Sequence, residues 1–213
     1  MENKENEKYL GDILSTDGRN IKNVKARVSI GTSIISRILA MLEGIPFGPF
    51  YYQVGVILRN SLLVSSLLSN SEAWYNITKA EIELLESVDV KYLRNLLKAP
   101  RSTPRELLYL ELGCIPLREL IIKRRILFLH YIMNEDENSM ILKFFKTQLK
   151  TRRPKDWISS ILKDLEDMKM ELTIDEIKDL KIATLKRLIT KEIAKMAFQR
   201  LISIKKLIQK QEV

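Results

Sequence analysis

Two residue types that build many active sites are nearly missing: the 213-residue chain has one cysteine, Cys114, and one histidine, His130. A single cysteine closes no internal disulfide, and a single histidine leaves a His-based triad only one candidate base. Together they cannot furnish a Cys/His zinc site. His130, in Leu127-Phe128-Leu129-His130-Tyr131-Ile132, reads as a core or boundary residue; Cys114, beside a turn glycine, reads as a small buried apolar side chain. Long apolar runs are also lacking. The stretches Ser61–Leu68 and Ile126–Leu129 fall far short of the roughly 20 residues a bilayer-spanning helix needs. The opening MENKENEKY is polar and acidic where a secretory signal starts basic and turns apolar, so an intracellular chain without a membrane partner is expected, nuclear or cytoplasmic being open. No GxxxxGK[ST], GxGxxG, HExxH, CxxC or GxSxG occurs. Phosphate cradles, zinc hydrolysis and the serine elbow therefore have no sequence support, and no cofactor or metal is expected.

Glycine (7) and proline (6) are scarce, and they punctuate the chain at Gly11–Asn20, Gly44–Pro49, Pro100–Pro104, Gly113–Pro116 and Pro154. What lies between is rich in Leu, Ile, Met, Lys and Glu at helical spacing. With 46% hydrophobic and 30% charged residues there is core material enough to exclude disorder. The expected fold is all-α, a helical bundle in two lobes with a short β-strand or hairpin remnant at the N-terminus. Tyr9–Leu14, running into Ser15-Thr16-Asp17-Gly18, is the one strand candidate and has no evident partner. Asn20 or Asn23 caps a helix to about Glu43, with Val24, Val28, Ile34 or Ile35, Ile38 and Leu42 on one face and Lys22, Lys25, Arg27 and Arg37 on the other. Tyr51–Ser69 is nearly all apolar, which implies burial on most sides, Arg59 being its one charge. Thr78 with Glu81 is a capping box opening a helix to Leu97. Thr103-Pro104 opens a short helix with proline at its first position, and Gly113 closes it. Leu117–Met133, Ser139–Lys150, Trp157–Met168 and one long helix from Asp175 to about Gln209 follow. Trp74 and Trp157 read as core or interface aromatics.

Charge adds a second layer. Lys plus Arg total 36 against 27 Asp plus Glu, a net +9, which favours polyanionic partners. Locally, residues 156–176 carry −5 and residues 178–210 carry +8. The terminal basic helix, apolar at Ile182, Leu185, Ile189, Ile193, Met196, Leu201, Ile204 and Ile208, has three open readings: lying on anionic lipid, filling a partner groove, or tracking phosphates.

Three stretches in order resemble one family. Lys8-Tyr9-Leu10-Gly11-Asp12-Ile13-Leu14-Ser15-Thr16-Asp17-Gly18 with Val24-Lys25-Ala26-Arg27 is similar to the YLG…DG…I..R segment that follows the palm in reverse transcriptases of non-LTR (LINE-type) retrotransposons. Leu68-Ser69-Asn70-Ser71-Glu72-Ala73-Trp74 is similar to that family's LYG.E.W stretch, with Ser69-Asn70 standing where Tyr-Gly is usual. Ser102-Thr103-Pro104, Leu108-Tyr109-Leu110-Glu111-Leu112-Gly113 and Ile115-Pro116-Leu117 resemble its TP…LY.E.G..PL segment, with the basic pair Arg124-Arg125 beyond. The likeness covers roughly residues 8–150.

The resemblance implies the primer-grip, thumb and post-thumb part of such an enzyme, without fingers or palm. It suggests a segmentation into a primer-grip-like remnant (1–19), a thumb-like bundle (20–99), a basic post-thumb region (100–153) and acidic then basic terminal helices (154–213). No DD pair occurs, so the family's [FY]xDD carboxylates are absent and the chain on its own is not expected to be an enzyme. The implied role is weak, non-specific gripping of the backbone of RNA or an RNA–DNA duplex. Its candidate residues are Tyr9, Leu10 and Gly11, then Lys22, Lys25, Arg27 and Arg37, and Arg118, Lys123, Arg124 and Arg125. The missing palm and fingers, or other element-encoded modules, are further implied partners. The alternative is an inactive helical remnant or protein-interaction module without nucleic-acid function.

Overall fold

The computed structural model describes residues 6–9, 12–16, 18–151, 153–154 and 156–209, and its fold is all-α apart from one N-terminal hairpin. Strand β1 (Asn6–Tyr9) pairs antiparallel with β2 (Asp12–Ser15), Tyr9 opposite Asp12 and Asn6 opposite Ser15. The single strand expected over Tyr9–Leu14 is instead divided between the two: Tyr9 ends β1 and Asp12–Leu14 belong to β2, and the rest of β1, Asn6–Lys8, is too polar to register as a strand by alternation. At the expected turn Gly18 donates its N–H to the Ser15 carbonyl at 3.0 Å and has φ +66°; Asp17 lies outside the described residues.

The helices follow as α1 (Ile21–Leu42), α2 (Pro49–Leu58), a π-helical turn (Arg59–Val64) running into α3 (Ser65–Leu67), α4 (Lys79–Leu97) and α5 (Arg105–Glu111). Then come α6 (Leu117–Met133), α7 (Met140–Thr151), α8 (Trp157–Asp167), α9 (Ile174–Asp179) and α10 (Ile182–Gln209). The Thr78–Glu81 capping box is present in full. Gly113, at φ +60°, closes α5 in a Schellman arrangement, with Cys114 N–H reaching the Tyr109 carbonyl at 2.7 Å and Gly113 N–H the Leu110 carbonyl at 3.0 Å. Pro104 is the N-cap of α5 and not its first helical residue. The single helix expected from Asp175 to Gln209 is two. A second capping box, Thr173 with Glu176, opens α9, Leu180 ends it in extended backbone, and His130 Nε2 lies 2.8 Å from the Leu180 carbonyl.

The chain divides into two compact units. One comprises the chain through Asn70 together with Ile77–Arg118, the other Ser71–Asn76 and the chain from Glu119. The division falls after Arg118 and not after Ala99, because α5 packs on α4 and buries Leu108 and Tyr109 there.

In the first unit α1 lies on α4, and Val24, Ile35, Ile38 and Leu42 are its buried apolar residues. Two glycines sit inside helices, contrary to their expected use as joints. A Cβ on Gly31 would stand 2.6 Å from Leu67 Cδ2, and one on Gly55 would stand 2.4 Å from Leu96 Cδ1, so both mark close helix approach. The helix from Pro49 is not buried on most sides, as its composition suggests. Phe50 and Ile57 are 65% and 63% exposed, and its interior stripe is Tyr51, Gly55, Arg59, Leu63 and Leu67. A stripe in steps of four drifts about 40° per step round an α-helix, and the wider i→i+5 turn at Arg59–Val64 removes part of that drift.

Arg59 is 1% exposed and Asp89 fully buried. Arg59 Nε donates to Asp89 Oδ1 at 2.7 Å and Nη2 to Oδ2 at 2.5 Å. Nη2 also reaches the Ile115 carbonyl at 3.0 Å, Nη1 the Asn60 side chain at 3.0 Å, and the Tyr109 hydroxyl donates to Asp89 Oδ2 at 3.0 Å. Burial works to lower the Arg59 pKa, but the Asp89 carboxylate outweighs it and holds the guanidinium charged. Burial first, then Asp89, pushes the Tyr109 phenol far up, so it stays a donor.

The second unit is built on Ile121, Ile122, Ile126 and Leu129 of α6, Leu142 and Phe145 of α7, Ile158, Ile161 and Leu165 of α8, and Leu185, Ile189 and Ile193 of α10. In α10, Met196 and Leu201 are half-buried and Ile182 is exposed; the side chains of Ile204 and Ile208 lie outside the described residues. Trp74 is buried. Trp157 is half-buried, donating Nε1–H to the Glu72 carbonyl at 2.8 Å and standing edge-on to Phe128 and Phe145. Cys114 is half-buried and not fully so, and burial raises its thiol pKa.

Removing one partner of the Arg59–Asp89 pair strands the other charge in the interior. Arg59→Met or Asp89→Leu alone should each cost about 3–5 kcal/mol, and the double variant clearly less than either. Urea unfolding followed by circular dichroism measures this; additive losses in the double variant would contradict it.

Candidate nucleic-acid interface

No aspartate or glutamate occurs between Gly18 and Leu42, so α1 is free of carboxylates from end to end. At about 100° per residue its core residues Val24, Gly31, Ile35, Ile38 and Leu42 fall on one side. Lys22, Lys25, Ser29, Ser33, Ser36 and Arg37 fall within about 120° on the opposite side. All six of these are exposed. From Lys22 to Arg37 the rise is about 22 Å, the axial length of about six base pairs. Cations at both ends with hydroxyls between suit phosphate oxygens, which accept from both.

The structure separates the residues that the sequence grouped together. Lys22, Lys25 and Arg37 are on the exposed face of α1. Arg27 is not: it is 6% exposed, with Nη2 on Asp12 Oδ1 at 2.8 Å and Nη1 on the Ser66 carbonyl at 3.3 Å. The expectation of an outward Arg27 is corrected because position 27 flanks the core stripe, where Asp12 neutralises it. Asn23 Nδ2 donates to the same Asp12 Oδ1 at 2.8 Å, and its Oδ1 accepts from Ile13 N–H at 3.3 Å. It therefore does not cap α1, and Asn20, at the N-cap position, makes no capping side-chain bond. Asn70 Nδ2 completes the cluster on Asp12 Oδ2 at 2.6 Å. Leu10 and Gly11 lie outside the described residues; Tyr9 is described in its backbone, in strand β1.

The four basic residues of α6 do not form one row. Arg118 is exposed, Lys123 and Arg124 are half-buried, and Arg125 is 4% exposed. Arg125 is an interior cation: Nη2 donates to Asp164 Oδ1 at 2.9 Å, Nε lies 2.8 Å from Oδ2, and Nη1 reaches the Trp74 carbonyl at 3.2 Å. Burial lowers its pKa, with Asp164 opposing; burial likewise lowers that of Arg124, with Glu72 opposing. On α10, Lys186, Arg187, Lys191 and Lys195 are exposed, and Arg200 is paired with the buried Glu119. Sequence reasoning overlooked the serines of α1 and the acid-free α7, whose Lys143, Lys146 and Lys150 are exposed. The signal for both was available as absence of acid over a whole helix.

Among the described residues no three His, Cys, Asp or Glu side chains are grouped to hold a metal ion, and no helix is long and apolar enough to cross a membrane. Comparison with family models, curated proteins and solved structures returned no match.

Burial pushes the Asp12 carboxyl up, but hydrogen bonds from Arg27, Asn70 and Asn23 outweigh burial, so it titrates below its ordinary value of 3.8. Its stabilisation is present above that value and is lost as pH falls through the depressed one. Asp12→Asn should lose about 1–3 kcal/mol at pH 7 and show a shallower stability loss below about pH 4 than wild type. Thermal melts from pH 7 to 2.5 measure both; parallel curves would contradict the assignment.

Proposed function

We propose that the chain binds the phosphate backbone of RNA or an RNA–DNA duplex, weakly and without sequence preference, through the exposed face of α1. The observation that carries this reading is that face itself: Lys22, Lys25 and Arg37 with three serines, no carboxylate in the helix, and the core stripe diametrically behind. Phosphate contacts made by such a face release counterions and read no bases.

The geometry also supports the likeness to the post-palm segment of non-LTR retrotransposon reverse transcriptases. Asn70, standing where the family's LYG.E.W stretch has glycine, has φ +56°, a left-handed conformation that glycine adopts freely and asparagine tolerates. Its side chain meets Asp12, which also holds Arg27, so residues from two of the three resembling stretches converge on one carboxylate. Tyr109, from the third, is bonded to Asp89. In this reading the chain grips a template–primer duplex and supplies none of the palm's chemistry. Primer extension by the pure protein with Mg²⁺ or Mn²⁺ should give no product; robust extension would refute that part.

A second reading, a protein-interaction module, is favoured by the outward Phe50 and Ile57 of α2. Fluorescence anisotropy with a labelled RNA–DNA duplex between 50 and 200 mM KCl separates the two. Converting Lys22, Lys25 and Arg37 together to alanine should weaken binding and flatten the log–log salt slope by up to about 2.7, roughly 0.9 per lost contact. Changing Lys186, Lys191 and Lys195 of α10 to glutamine should leave most of the slope. The reverse outcome moves the function to α10, and no binding by wild type leaves the interaction module.

A further inference from the structure

A groove of about 400 Å³ lies in the first unit between α4 and the turn that precedes α5. Its wall carries three arginines, Arg94, Arg101 and Arg105, the hydroxyl residues Ser102 and Thr103, and the carboxylates Glu83 and Glu86. The charges are not equally committed. Glu83 Oε1 lies 3.8 Å from Lys79 Nζ. Glu86 lies 3.4 Å from Arg105 Nη1 and accepts the Arg118 N–H at 3.5 Å, and Arg105 Nε also donates to Glu106 at 3.0 Å. Both acidic residues of the wall thus have cationic or N–H partners.

Arg94 and Arg101 have no carboxylate partner among the described residues. Arg94 Nη2 donates to the Thr103 carbonyl at 3.0 Å, a neutral acceptor, and its buried Nε has no hydrogen-bond partner among the described residues. Arg101 is exposed. A guanidinium held against a neutral carbonyl keeps its charge and its remaining donors for a planar or tetrahedral oxyanion, which arginine binds in bidentate fashion. The hydroxyl residues Ser102 and Thr103 in the same wall add donors of the kind phosphate oxygens accept.

We infer that this groove is a phosphate-binding site, taking the phosphate group of a small phosphorylated molecule or of a nucleic-acid backbone through Arg94 and Arg101. It is distinct from the α1 face and does not rest on the function proposed for that face.

The arginine Nε–Hε resonances of ¹⁵N-labelled full chain report on the site directly. Titration with inorganic phosphate should give a saturable shift of the Arg94 signal in the millimolar range. Potassium chloride at matched ionic strength should not. Arg101→Gln, at an exposed position that leaves the fold intact, should weaken phosphate at least tenfold. The variant lacking Lys22, Lys25 and Arg37 should titrate as wild type, so failure here is separate from failure at α1. Adenosine monophosphate saturating where a dinucleotide without terminal phosphate does not would identify a monoester ligand; saturation by the dinucleotide would identify the backbone diester. A linear drift equal to that in chloride, or an unchanged Arg101→Gln titration, would overturn the site.

Discussion

Arg59 brings a permanent positive charge into a place without water, and the first unit is arranged around neutralising it. A lone ion there is prohibitively costly, so its partner must arrive with matched geometry and with its own remaining oxygen lone pairs occupied. Asp89 supplies the fork, Tyr109 takes the second carboxylate oxygen, and the Ile115 carbonyl and Asn60 take the leftover donors. One knot thereby joins the π-helical turn, α4, α5 and the loop after α5. With α4 fastened there, a neighbouring face of it, which carries Val88 about 100° round from Asp89, receives α1, whose Gly31 allows the approach to Leu67 and Val88. The outward direction of Lys22, Lys25 and Arg37 is a consequence of that packing.

The same side-chain type serves two purposes, and the nearest carboxylate decides which. Arg27 and Arg125 have Asp12 and Asp164 and are built into the interior, while Lys22, Lys25 and Arg37 lie on a helix without acid. The number of basic residues therefore overstates the basic surface, since several of them balance buried anions. Part of what remains lies on the acid-free helices α1 and α7, where no carboxylate competes for a phosphate contact.

The helical architecture was legible because periodicity and caps are local. Thr78–Glu81, Gly113 and the bounds of α6 could be read within a few residues. The interior ion pairs were not, because Arg59 finds Asp89 30 positions away and Arg125 finds Asp164 39 positions away, and nothing in a helical pattern announces a cation that turns inward. Arg27 illustrates the limit: on sequence it extends the basic row of Lys22 and Lys25, yet it sits on the flank of the core stripe. The hairpin partner was hidden by its polarity, and the mid-helix glycines by their spacing from every joint. Half of the candidate interface was thus readable, the half defined by the face of one helix.

The account depends on the α1 face meeting the duplex. Lysine acetylation footprinting of the intact chain, with and without an RNA–DNA duplex and quantified by mass spectrometry, reads this residue by residue. Lys22 and Lys25 should be protected several-fold while Lys186, Lys191 and Lys195 react as before. Protection confined to α10, with Lys22 and Lys25 unchanged, would contradict the account.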